Sequence, residues 1–296
     1  MENHTAKLKI SNEINKILSD TGETKVSQNE LASKIGISAA QLINIRTPDK
    51  WNLVSENMWK RASVFFSMHT DYKIIETRNF QKLTRICTEA KKHSRLLAVT
   101  GRSGFGKTTA LKTYARNTKN VFYILAKDIL SRKGLLKAIA NALSVEVQGN
   151  IETLLENIVN KINAIDSPLL IIDDAGKIND GNYRNIQLLY DETEGKAGIV
   201  LAGTPFLKEY INKMVFKGKY GFDELNRRIE HWTTLEEPNK KEVETIALNN
   251  GIQHQNGINY LYNTCNNFGT LRTVIVNAKR ISPNPDCDVL MKAKGN

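Results

Sequence analysis

The first 72 residues carry apolar positions at helical spacing, which predicts a set of short amphipathic helices. The first helix carries Leu8, Ile10, Ile14, Ile17 and Leu18. Capping boxes beginning at Ser27 and Ser38 open a second and a third helix, and Gly36 ends the second. A fourth helix follows Ser55, with packing residues Trp59, Ala62, Val64 and Phe65. The pattern predicts an all-α module over residues 1–72.

Between residues 73 and 235, apolar runs of strand length alternate with helical patterns, and this alternation predicts a parallel α/β sheet. The expected strands are residues 96–100, 121–125, 169–172 and 198–203. The expected helices are 78–93, one beginning at Thr108, 134–143, 151–162, 182–192 and 222–229. The fold class is therefore α/β, with helices flanking the sheet.

From residue 236 onward the pattern is helical throughout, which predicts a C-terminal helical lid over 236–296. Helices open near Asn239, at Asn256 and at Gly269. The tail that contains Pro283 and Pro285 is predicted to be a frayed terminus.

Net charge, cysteine content and the lengths of apolar runs limit the partners and the cellular location that we expect. The net charge is +11, which makes a polyanionic partner plausible. Three scattered cysteines offer neither metal-ligand spacing nor an even disulfide set. The N-terminus is polar, and no run of 18 apolar residues occurs. We therefore expect a cytoplasmic protein without a membrane partner.

The run from 96 to 109 joins an apolar strand to the pattern GxxxxGK[ST] and then to a helix, which is the context a P-loop requires. Backbone N–H groups and the helix N-terminus would cradle phosphates there. Lys107 would reach the β- and γ-phosphates, and Thr108 would ligate Mg²⁺. The predicted nucleotide-binding residues are Gly101, Arg102, Ser103, Gly104, Phe105, Gly106, Lys107, Thr108 and Thr109.

Polar residues follow two further strands. Asp173 and Asp174 end the strand at 169–172, which fits a Walker B element. Asp173 would hold the Mg²⁺ shell, and Asp174 takes the place where many ATPases use a glutamate to polarise the attacking water. An aspartate is one methylene shorter, so we expect slow hydrolysis. Thr204 takes the place of a sensor 1 residue, although it could simply begin the helix at Pro205.

Three arginines are candidates for contacts with the γ-phosphate. Arg227 and Arg228 lie on one predicted helix, and one of them would act on the site of a neighbouring subunit. A surface ion-pairing role is the alternative. Arg272, in the run from Gly269, resembles a sensor 2 arginine at the start of a lid helix, or it lies on a solvated helix face.

The second and third helices of the first module resemble a helix-turn-helix of the phage-repressor type. Its third helix would then face DNA with Gln41, Asn44 and Arg46. Residues 1–75 hold ten Lys/Arg and eight Asp/Glu, so the module carries only +2 of the net charge. A helical bundle for protein contact therefore remains the alternative.

In this order, the motifs resemble those of an AAA+ ATPase, and more closely those of the MuB family of transposition target-DNA activators, related to the TnsC and TniB ATPases. The resemblance covers nearly the whole chain and departs at Asp174. It implies ATP and Mg²⁺ as cofactors, sites between subunits, and a helical filament on double-stranded DNA with little sequence preference. That filament would present target DNA to a DDE transposase of the MuA kind.

The remaining charge of +9 agrees with DNA-backbone binding by the ATPase part. The candidate contacts are Lys127, Arg132 and Lys133, followed by Arg184 and Lys177, and a solvated basic loop is the alternative for each. Three other functions stay open: a DnaC-like helicase loader or another replication ATPase, a repressor with a degenerate site, and a secretion-type ATPase. The intact motif residues argue against the repressor.

Overall fold

The computed structural model describes residues 2–19, 26–66, 72–126, 131–282 and 284–295. The chain divides into two compact units. The first holds residues 1–72 and 115–119, and the second holds 73–114 and 120–296. The division into three domains at 72/73 and 235/236 stays a prediction.

The described helices are α1 (Glu2–Ser19), α2 (Gln28–Ile35), α3 (Ala39–Arg46), α4 (Glu56–Phe65), α5 (Arg78–His93), α6 (Lys107–Asn117), α7 (Arg132–Ala142), α8 (Ile151–Asn163), α9 (Asp180–Glu192), α10 (Pro205–Phe216), α11 (Phe222–Arg228), α12 (Lys240–Asn249), α13 (Gln255–Thr264), α14 (Phe268–Ile281) and α15 (Cys287–Gly295). The strands are β1 (Leu96–Thr100), β2 (Val121–Leu125), β3 (Leu169–Asp173), β4 (Gly198–Gly203) and β5 (His231–Thr234). Short 3₁₀ turns span Pro48–Leu53 and Ala175–Lys177.

The five strands form one parallel sheet in the order β2-β3-β4-β1-β5, which confirms the predicted α/β class. Strands β1, β3 and β4 are buried along their whole length, as expected for a sheet covered on both faces. Four strands were predicted and the fifth was not. Strand β5 reads His-Trp-Thr-Thr and lies at the edge, so burial does not impose an apolar run on it.

The main core packs α7, α8 and α9 against one face of the sheet through fully buried leucines and isoleucines: Leu135, Leu136, Ile139, Leu154, Ile158, Ile186 and Leu189. Parallel strands end at one edge of a sheet, and in such folds ligands bind beyond the carboxyl ends. The P-loop, the pair Asp173 and Asp174, and Thr204 therefore lie at the same edge of the sheet, at or just after the ends of β1, β3 and β4.

In the first unit, the predicted helices α1 to α4 are present. Ser27 and Ser38 cap α2 and α3, and Gly36 ends α2 in the left-handed region at φ 79°. The indole rings of Trp51 and Trp59 pack edge to face at 5.4 Å. The prediction that Val64 packs inward is wrong, because its side chain is 63% exposed.

The tail prediction needs correction. Residues after Pro285 form the ordered helix α15, in which Leu290 and Ala293 are buried and pack toward α13 and α14. The side chain of Asp286 accepts a hydrogen bond from the Val289 N–H and caps this helix. Leu290 and Ala293 are three positions apart and so share one helix face, and their burial stabilises a segment that is otherwise mostly polar.

Candidate nucleotide-binding site

The loop after β1 has the shape of a phosphate cradle. The N–H of Gly101 donates to the carbonyl of Gly203 at 3.1 Å, which anchors the loop to the end of β4. Gly104 and Gly106 have φ values of 79° and 84°, a region that residues with a Cβ rarely enter. Helix α6 begins at Lys107, one residue before the predicted start. All nine predicted P-loop residues lie in this loop and in the first turn of α6.

The Lys107 ammonium is buried and points back into the loop. It donates to the carbonyl of Gly101 at 2.6 Å and to that of Arg102 at 3.0 Å. Burial lowers the pKa of Lys107, and the charges of Asp173 and Asp174 act in the opposite direction. Exchange of these carbonyls for phosphate oxygens would give the ammonium charged acceptors, which form stronger hydrogen bonds.

The Asp173 carboxylate is fully buried and has three hydrogen-bond donors. The hydroxyl of Thr108 donates to Oδ2 at 2.6 Å, and the hydroxyl of Tyr123 donates to the same oxygen at 2.7 Å. The N–H of Asp174 donates to Oδ1 at 3.0 Å. The structure thus brings together the two residues that were predicted to hold a metal. A hydroxyl and a carboxylate are hard oxygen donors of the kind that Mg²⁺ takes beside phosphates and water.

Tyr123 is a site residue that the sequence analysis missed. It lies within β2, in an apolar run that identifies a strand but gives no sign of polar chemistry. Burial raises the pKa of its phenol, as does the nearby charge of Asp173. The hydroxyl therefore stays protonated and donates. The available signal was a tyrosine in an apolar strand, β2, that could pair with the strand that ends at Asp173.

Asp174 adopts the left-handed conformation, with φ 58° and ψ 32°. Non-glycine residues are uncommon in this region, and Asp and Asn are enriched there. Its carboxylate forms a 3.1 Å ion pair with Lys177, one of the secondary candidates for DNA contact. The side chain thus lies at the strand end beside Asp173, held by a backbone conformation that suits its short length.

Thr204 directly follows β4, the neighbour of both β1 and β3, and its side chain is exposed. It forms no side-chain cap on α10, although it occupies the N-cap position. Its place at the start of α10 agrees with the alternative that it simply begins this helix, and its sensor 1 role stays a prediction.

Asn79 is a second missed residue. Its side chain is 3% exposed, and its amide nitrogen donates to the carbonyls of Phe105, at 3.2 Å, and Glu236, at 2.7 Å. Its amide oxygen accepts from the N–H of Glu236 at 3.1 Å. One side chain on α5 therefore connects the P-loop to the segment that leads from β5 into α12. A polar residue among apolar helix positions was the available signal.

The first turn of α14 touches the P-loop. The N–H of Gly269 donates to the carbonyl of Gly104 at 3.0 Å, and the side chain of Asn267 caps α14. Arg272 lies on the same helix with an exposed side chain. The sensor 2 candidate is thus on an element that contacts the phosphate loop directly.

The two adjacent arginines of α11 differ in their surroundings. Arg228 donates through Nε to the carboxylate of Asp191 at 2.8 Å, so it is paired within its own chain. Arg227 is exposed. The sequence left open which of them would act on a neighbouring site, and this difference favours Arg227.

The predicted DNA contacts in the second unit are variously placed. Lys127 lies outside the described residues. Arg132 is exposed and donates to a buried asparagine side chain of α9, and Lys133 donates to a carbonyl in the α7–α8 connection. The guanidinium of Arg184 lies over the Tyr220 ring at 5.0 Å. These assignments stay predictions.

In the first unit, the three residues predicted to face DNA are only half-exposed. Gln41 completes the capping box at the start of its own helix, and Arg46 donates to side chains of α1 and α2. Asn44 is half-buried, whereas Ala40 and Ile43 are exposed. Helix α3 thus presents small and apolar side chains most prominently, and its predicted role in DNA contact stays a prediction.

Comparison with known proteins supports the nucleotide site. A family model described as an AAA domain matches residues 90–211, which include the P-loop and Asp173. The DNA transposition protein B of the Mu-like prophage FluMu, from Haemophilus influenzae, is 23% identical over 259 residues. That alignment covers 81% of this chain and 85% of the relative.

Solved structures share the fold. The Orc1 protein of Aeropyrum pernix, in complex with DNA, matches with a TM-score of 0.56 at 11% identity, over 76% of this chain and 66% of that chain. A DNA replication initiation factor matches with a TM-score of 0.50 at 14% identity, again over 76% and 66%. The chain thus spans slightly less than two thirds of either structure.

In the described ranges, no helix is long and apolar enough to cross a membrane.

Proposed function

We propose that this chain is a MuB-like AAA ATPase, which binds Mg²⁺–ATP at the P-loop and assembles in that state as a helical filament on double-stranded DNA. The filament delivers target DNA to a DDE transposase of the MuA kind and stimulates transposition. The protein would act in a bacterial cytosol, encoded by a phage or a transposon.

At the proposed site, Thr108 and Asp173 hold Mg²⁺ together with the nucleotide phosphates. Lys107 exchanges its two carbonyl acceptors for β- and γ-phosphate oxygens. Asp174 orients the attacking water, and Thr204 and Arg272 contact the γ-phosphate region. Arg227 completes the site of a neighbouring subunit, since Arg228 is paired with Asp191.

DNA binding in this proposal is mainly electrostatic. Residues outside the first 75 carry +9 of the net charge, and neutralisation of phosphates needs no base contacts. Lys127, Arg132 and Lys133 are the proposed contacts in the ATPase part. Gln41, Asn44 and Arg46 are the proposed contacts of the first module.

The assembled nucleotide site carries the proposal. The buried Lys107 and the 2.6 Å hydrogen bond between Thr108 and Asp173 are the arrangement that the proposed phosphate and Mg²⁺ site requires. This site lies in a chain that aligns over 81% of its length with a protein named for DNA transposition.

The test is binding to random-sequence duplex DNA with no nucleotide, ADP, ATP or a non-hydrolysable analogue, imaged by negative stain. Filaments are expected only with ATP or the analogue, and Lys107→Ala should abolish them. Lys213→Ala removes the same charge from an exposed position on α10 and should leave them intact. DNA binding that ignores nucleotide, or no polymer under any condition, would contradict the proposal and direct attention to a helicase partner.

A further inference from the structure

We propose that Tyr123 is a positioning residue for the carboxylate of Asp173, and that its hydroxyl sets how tightly the site takes Mg²⁺ without affecting nucleotide binding in the absence of metal. This inference rests on the proposed Mg²⁺ site. It concerns a residue on β2, outside the P-loop and the Walker B strand.

The register of the sheet brings the two residues together. Tyr123 lies directly opposite Ile171 in the parallel ladder between β2 and β3. Opposed residues share one face of a sheet, and Asp173, two residues beyond Ile171, shares it too. Diagonal neighbours of this kind are within reach of a long aromatic side chain. The 2.7 Å hydrogen bond is therefore a consequence of strand register.

The ring of Tyr123 is held independently of its hydroxyl. The ammonium of Lys112 on α6 lies 5.4 Å from the ring centroid, and the backbone is part of the parallel ladder. Removal of the hydroxyl alone should therefore leave the strand and ring in place. The hydroxyl can be tested separately from the fold.

Thr108 and Tyr123, which both donate to Oδ2 of Asp173, have different roles in the proposed metal site. Thr108 would have to offer a lone pair to the metal while its O–H continues to donate to the carboxylate of Asp173. Tyr123 can donate without facing the metal, so it holds the carboxylate rotamer whether or not metal is bound. Its donation also withdraws charge from Oδ2, which weakens metal attraction. We expect the orienting effect to outweigh this loss of charge, because Asp173 is fully buried and depends on Thr108, Tyr123 and the Asp174 N–H for its side-chain hydrogen bonds.

The experiment uses Tyr123→Phe in the full chain. Affinity for a fluorescent ATP analogue is measured in EDTA and across a Mg²⁺ titration, together with the Mg²⁺ dependence of hydrolysis. We expect unchanged affinity in EDTA and a half-saturating Mg²⁺ concentration raised by about 10-fold, within the range usual for partners of metal ligands. Hydrolysis should recover at high Mg²⁺, a rescue that general structural damage would not show.

Two further variants separate the possible failures. Tyr190→Phe removes a hydroxyl that donates to the Ser94 carbonyl, before β1 and away from the site, and should leave Mg²⁺ dependence unchanged. Asp173→Asn should raise the Mg²⁺ requirement strongly. If Asp173→Asn has no such effect, the proposed metal site is wrong. If Asp173→Asn does and Tyr123→Phe does not, or if Tyr123→Phe tightens Mg²⁺ binding, only the role of Tyr123 is overturned.

Discussion

The N–H of Gly269 donates a 3.0 Å hydrogen bond to the carbonyl of Gly104, so the first turn of α14 rests on the tip of the P-loop. The approach is close enough that a Cβ on Gly269 would lie 3.1 Å from the Gly104 Cα. A side chain at either glycine would crowd the opposite element. We therefore expect a movement of the phosphate loop to shift the helix that carries Arg272.

Gly104→Ala should uncouple these two elements. The position has φ 79°, and a Cβ there would lie 2.2 Å from Oδ1 of Asn267, the side chain that caps α14. Either the Asn267 side chain must leave its capping position or the first turn of α14 must move away. We expect affinity for Mg²⁺–ATP to fall by at least about 10-fold, equivalent to about 1.4 kcal/mol. Titration with a fluorescent ATP analogue measures the change.

The matched control is Gly218→Ala. Gly218 has φ 62°, and no atom lies within 4 Å of the place that a Cβ would take, so the substitution adds backbone strain without a clash. Each variant should lose about 1–2 kcal/mol of folding stability from the left-handed conformation. Only Gly104→Ala should lose nucleotide affinity, and equal affinities in the two variants would contradict the coupling.

Local sequence requirements explain what could be predicted. A phosphate loop needs glycines and a lysine at fixed spacing, and a buried parallel strand needs a continuous apolar run. The P-loop, Asp173 and four of the five strands follow from such rules. The helical caps at Ser38 and Asn239 are local in the same sense.

Long-range contacts explain what could not be predicted. Tyr123 and Asn79 acquire their roles from residues 50 and 157 positions away, at Asp173 and Glu236. Strand β5 forms by backbone pairing with β1, and its own residues, which are exposed or half-exposed, give no apolar signal. The pairing of Arg228 with Asp191 likewise depends on how α11 packs near α9.

Asn79→Leu should weaken nucleotide binding indirectly, because it removes the hydrogen bonds that connect the P-loop to the segment after β5. The substitution keeps the side-chain volume approximately but leaves the carbonyls of Phe105 and Glu236 and the N–H of Glu236 without their partner. An unsatisfied buried group such as the Phe105 carbonyl costs about 1–3 kcal/mol, and the two partly buried backbone groups of Glu236 cost less because water can reach them. We expect a lower thermal midpoint and weaker ATP binding. Asn249→Leu, at an exposed helix position, is the control and should change neither property. If Asn79→Leu changes neither as well, Asn79 does not support the P-loop as described.

Substitutions of Asp174 should separate the effect of its carboxylate on ATP turnover from its suitability for the left-handed backbone conformation. Asp174→Asn keeps a residue suited to φ 58° but removes the carboxylate, so ATP turnover should fall by about 100-fold with little change in stability. Asp174→Glu should raise turnover, because the longer side chain reaches the water. It should also lower the thermal midpoint slightly, because glutamate is less favoured in this conformation. Unchanged turnover in Asp174→Glu would refute the explanation for slow hydrolysis.

The two arginines of α11 should have opposite phenotypes. Arg227→Ala should reduce hydrolysis by about 10³-fold or more in the assembled state, because a transition-state arginine is lost. Arg228→Ala should keep hydrolysis and lose about 0–1 kcal/mol of stability, since its ion pair with Asp191 is partly exposed. Mixing Arg227→Ala with Asp174→Asn, which keeps the P-loop, should restore part of the activity, because an intact Asp174 in one subunit meets an intact arginine in its neighbour. Failure to restore it, with both variants still co-assembling, would mean that Arg227 acts within its own chain.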